Sequence, residues 1–217
     1  MRLAVFGGTF NPIHYAHLRV AEEARESLGA ERLVFVPSHI TPHKQPSAVA
    51  GSGKRLRMVE LAVSGNPAFE VSDIELRRGG RSFTIDTVRQ LRRERACDTV
   101  LIIGSDSYND LGSWYRTAEL VAETDFAVVN RPGHEPRPID EVLPVELAKD
   151  FWYDAEVTAY RSGAGRTISF LDTTMLAISA SQIRERIGRG ASVRYLLPDA
   201  VIDYIREEGL YGMERGA

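Results

Sequence analysis

Four short, uninterrupted apolar runs constrain the fold of this chain more than any other feature. They lie at residues 3–6, 33–36, 100–103 and 126–129, and segments with helical spacing of apolar residues separate them. A strand without polar alternation is covered on both faces, as strands of parallel sheets are. Strands that alternate with helices form βαβ units. The sequence therefore predicts an α/β fold, a doubly wound parallel sheet with helices on both faces.

The remaining segments fit this alternation. Helices are predicted from about residue 15 and over 54–63, 85–95, 179–187 and 199–208, and a late strand is predicted over 166–171. Residues 69–76 are predicted to be extended, and the proline-rich residues 133–144 to be irregular. Residues 38–53 form a long polar loop after the second strand. Loops of that length in compact domains usually bind ligands or act as lids.

Length and composition limit the class of protein. A chain of 217 residues has the length of one α/β domain, so residues 1–217 are predicted to form a single domain. A net charge of −3 argues against a general nucleic-acid binder. The single Cys97 excludes an intrachain disulfide and favours a reducing compartment. Neither a signal region nor an apolar run of eighteen residues occurs, so we expect a cytoplasmic protein with no membrane partner. A monomer and a homo-oligomer both stay open.

Arginines concentrate in two neighbouring segments. They are Arg77, Arg78, Arg81, Arg89, Arg92, Arg93 and Arg95. Such a run forms either a binding patch for an anion or a solvated helix face. We favour the solvated face, with Glu75 and Glu94 as partners.

The first apolar run leads into a stretch suited to bind phosphate. Gly7 and Gly8 let the backbone turn and approach a ligand, and a helix begins a few residues later. The free N–H groups at a helix N-terminus attract anions. His14 and His17 lie three residues apart at this point, where imidazoles donate hydrogen bonds to a polyphosphate and offset its charge if protonated. Two alternatives are a zinc site, which lacks a convincing third ligand, and simple packing.

Two other phosphate-binding patterns can be rejected by counting. A Walker loop that ends at Gly53 and Lys54 would need glycine at position 48 and serine or threonine at position 55, where the chain has Ala48 and Arg55. Residues 163–168 lack the third glycine of a dinucleotide fingerprint and precede a strand. The chain therefore has neither motif.

Two segments at opposite ends of the chain carry a resemblance to a known superfamily. Residues 7–17, Gly-Gly-Thr-Phe-Asn-Pro-Ile-His-Tyr-Ala-His, resemble the GGTFDPxHxGH signature of nucleotidyltransferases with a Rossmann-like fold, and residues 178–184, Ile-Ser-Ala-Ser-Gln-Ile-Arg, resemble their ISxTxIR signature. Residues 37–44, 82–84, 104–106 and 114–115 resemble the pattern of bacterial nicotinate-nucleotide adenylyltransferases. The resemblance spans residues 3–211 and is weakest over 135–176.

The chain departs from these signatures at four positions. Asn11 replaces the usual Asp and keeps a capping side chain, Ala16 replaces Gly, and Ser181 replaces Thr but keeps a hydroxyl. Phe83 replaces a frequent Tyr, so a hydroxyl contact is not expected there.

The resemblance implies attack by the 5′-phosphate of nicotinate mononucleotide on the α-phosphorus of ATP, which gives deamido-NAD and pyrophosphate. The phosphate nucleophile is already ionised, so catalysis depends on in-line positioning and on neutralising the leaving group. We expect Mg²⁺ to be bound mainly through the ATP phosphates, with no metal site on the protein. Related transferases that use nicotinamide mononucleotide or phosphopantetheine are the alternatives. A regulatory protein that binds nucleotide without turnover is a more distant one.

The resemblance also implies roles for individual residues. The catalytic residues would be His17, His14 and Arg184. The ATP-binding residues would be Gly7, Gly8, Thr9, Phe10, His14, His17, Gly104, Asp106, Ile178, Ser179 and Arg184. The acceptor-binding residues would be Ser38, His43, Lys44, Phe83, Thr84, Trp114, Tyr115 and Arg131. Within this set Asp106 is expected at the adenosine ribose, Trp114 on the pyridine ring, and Arg131 at the acceptor phosphate.

Overall fold

The computed structural model describes residues 2–40, 49–131 and 133–214. Within these ranges the strands form one eight-stranded sheet in the order β3-β2-β1-β4-β5-β8-β7-β6. The strands are β1 Arg2–Gly8, β2 Leu33–Pro37, β3 Phe69–Val71, β4 Asp98–Gly104, β5 Asp125–Val129, β6 Phe151–Asp154, β7 Ala159–Ser162 and β8 Thr167–Leu171. Neighbours from β3 through β8 pair in parallel, and β7 and β6 add an antiparallel edge.

Helices cover both faces of this sheet. They are α1 Tyr15–Ser27, α2 Ser52–Val63, α3 Ile74–Arg78, α4 Thr84–Arg95, α5 Ser105–Asn109, α6 Thr117–Glu123, α7 Ile139–Val142, α8 Val145–Ala148, α9 Ala180–Gly188 and α10 Asp199–Glu207. One buried cluster packs α1, α2, α9 and α10 on the first face. A second cluster packs α3 to α8 on the other. None of the helices in the described part of the chain is long and apolar enough to cross a membrane.

Strand β1 shows why the central strands are continuous apolar runs. Ala4 points into the first buried cluster, and its neighbours Leu3 and Val5 point into the second. All three are at most 4% exposed. A residue on either side of such a strand contributes apolar area to a core, and burying one aliphatic side chain stabilises the fold by about 1.5–3 kcal/mol. The predicted fold class is confirmed.

The structure differs from the sequence prediction in three segments. The extended region ends at Val71, and residues 74–78 form α3 because Ile74 is buried in the second cluster. Residues 139–142 form the short helix α7 inside a segment predicted to be irregular. Strands β6 and β7 were not predicted, since β6 is an edge strand whose Trp152 and Tyr153 are about half exposed and form no buried run.

The arginine-rich segments are a solvated, ion-paired surface, as the favoured interpretation held. Arg77 lies 2.8 Å from Asp73 and 3.7 Å from Glu94, and Arg78 lies 3.9 Å from Glu75. Farther along, Arg89 pairs with Glu119 and Glu123, Arg92 with Asp98, and Arg95 with Glu70. Most of the partners are therefore acidic residues outside the two segments.

The order of the strands indicates where on the sheet a ligand would bind. The chain runs from β1 to β2 and β3 on one side, and then crosses to β4 on the other side of β1. Parallel sheets bind ligands at the carboxyl ends of the strands where the connections diverge in this way. Residues 9–17, 38–40, 105–106 and 130–131 follow β1, β2, β4 and β5 at that edge.

Candidate active site

The loop after β1 is built around the buried ring of Phe10. This residue has φ of 47° and is 2% exposed, and its ring packs edge-on against Phe6, Phe35 and His17. A Cβ at Gly8 would lie 2.9 Å from the Phe10 ring. The loop folds the Phe10 ring back against Gly8, so a side chain at position 8 would collide with that ring unless the ring or the loop moved.

His14 and His17 form a stacked pair at the start of α1. Their ring centroids are 3.7 Å apart, and His14 is the N-cap residue. The backbone N–H of His14 donates to Nδ1 of His17 over 3.3 Å. A neutral His17 with an acceptor at Nδ1 carries its proton on Nε2. The pair thus fixes which nitrogen of His17 is the donor.

His14 is almost completely buried, at 4% exposed. Burial, with a smaller effect of the nearby Arg131 charge, lowers the pKa of His14 to about 4. Within the described residues its Nδ1 has no hydrogen-bond partner. His14 is therefore neutral near pH 7 and offers a hydrogen bond rather than a positive charge. No group of three His, Cys, Asp or Glu side chains in the described ranges is arranged to hold a metal, so the zinc alternative gains no support there.

Helix α9 forms the opposite wall of this site. Ser179 caps the helix by accepting the Gln182 backbone N–H over 3.2 Å. One turn later Arg184 donates from Nη1 to the Asn11 carbonyl over 2.8 Å and from Nη2 to Ser181 Oγ over 3.2 Å. The structure thereby brings together two motifs 173 positions apart. A cavity of about 410 Å³ lies along α9, lined by Ile178 and Ser179 at the start of the helix and by Arg186 and Arg189 farther along.

The expected capping role of Asn11 is wrong. The N-cap position of α1 belongs to His14, where the backbone is extended. The Asn11 Oδ1 instead accepts the Ala50 backbone N–H over 3.0 Å and the Tyr211 hydroxyl over 2.7 Å. Burial raises the pKa of this hydroxyl, so Tyr211 stays a donor. Asn11 therefore ties the loop to the approach to α2 and to the C-terminal segment.

Asp106 and Arg131 meet at the ends of β4 and β5. The Arg131 guanidinium forms an ion pair with Asp106 Oδ2, and the Arg131 backbone N–H donates to Ser105 Oγ over 3.1 Å. A Cβ at Gly104 would lie 2.5 Å from Asp106 Oδ1, so only glycine leaves that carboxylate its place. The residue expected at the acceptor phosphate and the residue expected at the ribose therefore occupy one corner of the site.

A second corner gathers the other predicted acceptor residues. The Phe83 ring lies 4.4 Å from that of Tyr115, and Thr84 begins α4. The His39 backbone N–H donates to Ser82 Oγ over 2.8 Å, which joins the segment after Ser38 to the same corner. Trp114 precedes Tyr115 and packs partly against the second buried cluster. The predicted residues His43 and Lys44 lie outside the described residues.

Sequence reasoning missed Arg55, which is 1% exposed inside α2. Its guanidinium donates to four backbone carbonyls, those of Thr9, Ser38, His39 and Ala50. A signal was present in the sequence. Arg55 lies on the stripe that Met58, Val59 and Val63 define, so a charged residue occupies a core position of the helix.

Comparison with known proteins places the chain in a family. Residues 5–186 match the cytidylyltransferase-like family. A protein of Geobacter sp. (strain M21) named "Probable nicotinate-nucleotide adenylyltransferase" is 45% identical over 212 residues, which cover 97% of this chain and 98% of that protein. A protein of Geobacter metallireducens with the same name is 42% identical over 99% of this chain and 100% of its own length. The chain belongs to the nicotinate-nucleotide adenylyltransferase family.

Solved structures agree with this family in fold. The Plasmodium falciparum nicotinic acid mononucleotide adenylyltransferase complexed with NaAD superimposes with a TM-score of 0.74 at 18% identity, over 99% of each chain. The same enzyme complexed with APC gives a TM-score of 0.72 at 16% identity. The Rossmann-like architecture implied by the two signatures is thus that of nicotinate-nucleotide adenylyltransferases.

Proposed function

We propose that the protein transfers the adenylyl group of ATP to nicotinate mononucleotide, with release of pyrophosphate, in NAD biosynthesis. The observation that carries this proposal is the hydrogen bond from Arg184 on α9 to the Asn11 carbonyl in the loop before α1. This bond brings the two segments that resemble nucleotidyltransferase signatures into contact. The names of full-length relatives at 42–45% identity support the same reaction.

The half of the site between β1 and α9 suits the triphosphate. The N–H groups of Tyr15 and His17 at the start of α1 donate to the carbonyls of Leu196 and His14, so the donors that we assign to the triphosphate are the imidazole of His17 and the guanidinium of Arg184. Such donors stabilise charge that develops on a pyrophosphate leaving group. In this role His17 and Arg184 act on the leaving group, and neutral His14 supports the ring of His17. Asp106 would accept hydrogen bonds from the ribose.

The half of the site at the start of α4 suits the acceptor. Phe83, Tyr115 and Trp114 bring aromatic surface to the corner where Thr84 opens α4. A base that stacks on an aromatic side chain gains about 1–3 kcal/mol in nucleic-acid systems. The free N–H groups of the first turn of α4 would receive the nicotinate carboxylate. His43, Lys44 and Arg131 would receive the acceptor phosphate.

The donors around the β1 loop are N–H groups, imidazoles and a guanidinium, which bind phosphate oxygens and do not ligate Mg²⁺. We therefore assign Mg²⁺ to the oxygens of the bound triphosphate, where the metal offsets part of the phosphate charge. His17 and Arg184 would add a hydrogen bond and a positive charge to the same phosphates.

We also place the protein in the cytoplasm. Cys97 is unpaired and partly buried, as expected where thiols stay reduced. Fractionation of cells that express a tagged protein tests this placement. Recovery with the membrane or secreted fraction would contradict it.

A coupled assay of pyrophosphate release tests the reaction and its acceptor. The purified protein is supplied with ATP, Mg²⁺ and one of three acceptors: nicotinate mononucleotide, nicotinamide mononucleotide or phosphopantetheine. We expect the highest kcat/KM for nicotinate mononucleotide. Equal or faster turnover of phosphopantetheine would overturn the proposal, and so would nucleotide binding without turnover of any acceptor.

A further inference from the structure

Arg55 is 1% exposed and is the largest of the fully buried side chains in the described part of the protein, and the reaction proposed above makes no use of it. Burial lowers the pKa of its guanidinium, yet an arginine stays protonated in proteins. Within the described residues no carboxylate lies at ion-pair distance from it. Four hydrogen bonds from its N–H groups to carbonyl oxygens stabilise its charge, and the carboxylate of Glu75 attracts it from a longer distance.

These four carbonyls belong to three separate segments. Nη1 donates to Thr9 over 2.7 Å, in the loop after β1. Nη2 donates to Ser38 over 2.6 Å and to His39 over 3.0 Å, in the segment after β2. Nε donates to Ala50 over 2.9 Å, just before α2. One rigid group therefore sets the spacing between the β1 loop and the β2 loop.

The link continues beyond Arg55 toward the leaving-group side. The Ala50 backbone N–H donates to Asn11 Oδ1, and the Asn11 carbonyl receives Arg184. The His39 backbone N–H donates to Ser82 Oγ, one residue before the aromatic corner at Phe83. Arg55 is thus connected through backbone groups to both halves of the site, although at 1% exposed it has no surface with which to touch a substrate.

We propose that Arg55 is a positioning residue for adenylyl transfer, which holds the β1 loop with its triphosphate in register with the β2 loop and its acceptor. This assignment rests on the proposed function, which identifies the ligand of each loop. In-line attack needs a fixed distance between the acceptor phosphate and the α-phosphorus of ATP. A misplacement of about 1 Å can lower the rate on the order of 10²-fold. Lysine cannot replace arginine here, since an ammonium has no planar fork to reach three segments.

The test uses R55K and R55Q, with R57K as the matched control. Arg57 lies on the same helix but is half exposed and pairs with Glu60, away from the loops. For R55K we expect kcat to fall about 30-fold or more, while the Kd of a non-hydrolysable ATP analogue and the Kd of nicotinate mononucleotide each change less than about threefold. R57K should match the wild type in all three quantities.

Hydrogen exchange gives a second readout that needs no turnover. In R55K the amides of residues 8–11 and 38–40 should both exchange at least tenfold faster, and in R57K neither should change. A wild type that fails to adenylate nicotinate mononucleotide would refute the proposed function, and the exchange pattern alone would then decide the role of Arg55. The positioning role is refuted if R55K lowers the melting temperature but keeps kcat within threefold, if only one loop loosens, or if both variants fail to fold.

Discussion

At the scale of single residues, His17 carries the clearest prediction for turnover. Its Nδ1 accepts the His14 backbone N–H, so a neutral His17 carries its proton on Nε2, the nitrogen that we assign to a phosphate oxygen. We expect His17→Ala to lower kcat by about 10²–10³-fold, the usual effect of removing one donor to a developing oxyanion. Pyrophosphate release measures it.

Arg19→Ala is the matched control for this variant. Arg19 lies on α1 two residues farther on, about half exposed and paired with Glu23. Its loss should leave turnover unchanged, and circular dichroism should show both variants folded. Near-native turnover of His17→Ala would mean that the leaving group lies elsewhere.

The buried imidazole of His14 predicts a pH dependence of stability. Its pKa is about 4 in the folded protein and 6.5 in the unfolded chain, so the unfolded state binds more protons between these values. Stability is full above pH 6.5 and falls as the pH drops toward 4. Between pH 7.5 and 5 this group alone should cost about 2 kcal/mol of unfolding free energy.

Urea unfolding of the wild type and of His14→Asn at both pH values isolates this effect. Asparagine keeps an N-cap side chain without a titrating group. The variant should lose about 2 kcal/mol less than the wild type between the two pH values. Equal losses would show that His14 does not titrate in this range.

At the scale of elements, the parts of the fold that were predicted share one property. Four strands, β1, β2, β4 and β5, are buried on both faces. Each is therefore an uninterrupted run of apolar residues, which can be recognised in the sequence. Strand β6 has exposed aromatic side chains and forms by pairing with β7. The local sequence pattern does not predict this pairing. The same holds in the site, because the partners of Arg55 are carbonyls of remote segments that residue identities do not specify.

The β1 loop offers a prediction with a control in the adjacent residue. An alanine at position 8 places Cβ 2.9 Å from the Phe10 ring, so the ring or the loop must move. Overpacking of this kind typically costs about 1–3 kcal/mol. An alanine at position 7 meets nothing within 4 Å and should change the unfolding free energy by less than about 0.5 kcal/mol.

Thermal unfolding of Gly8→Ala and Gly7→Ala without ligands measures the difference. The comparison concerns stability alone, since both glycines end β1 and are among the residues assigned to ATP. A Gly8→Ala protein as stable as Gly7→Ala would show that the loop does not depend on the Phe10 anchor.

At the scale of the whole molecule, the sheet separates the site into two halves that meet at β1. The triphosphate half depends on α1 and α9, and the acceptor half depends on α4 and the segment around Trp114. A ligand at 100 times its Kd stabilises the folded state by about 2.7 kcal/mol, and a tenfold weaker affinity at that concentration lowers the gain to about 1.4 kcal/mol. Ligand-induced shifts of the melting temperature therefore report on each half separately.

Two variants should divide these shifts between the halves. His17→Ala should reduce the stabilisation by an ATP analogue and keep that by nicotinate mononucleotide, because His17 lies on α1 beside the β1 loop. Trp114→Leu should do the reverse, each shift being taken relative to the ligand-free variant. If each variant instead reduces the stabilisation by both ligands to the same extent, the loss of one local contact affects binding on both sides of β1. The two halves would then behave as a single unit.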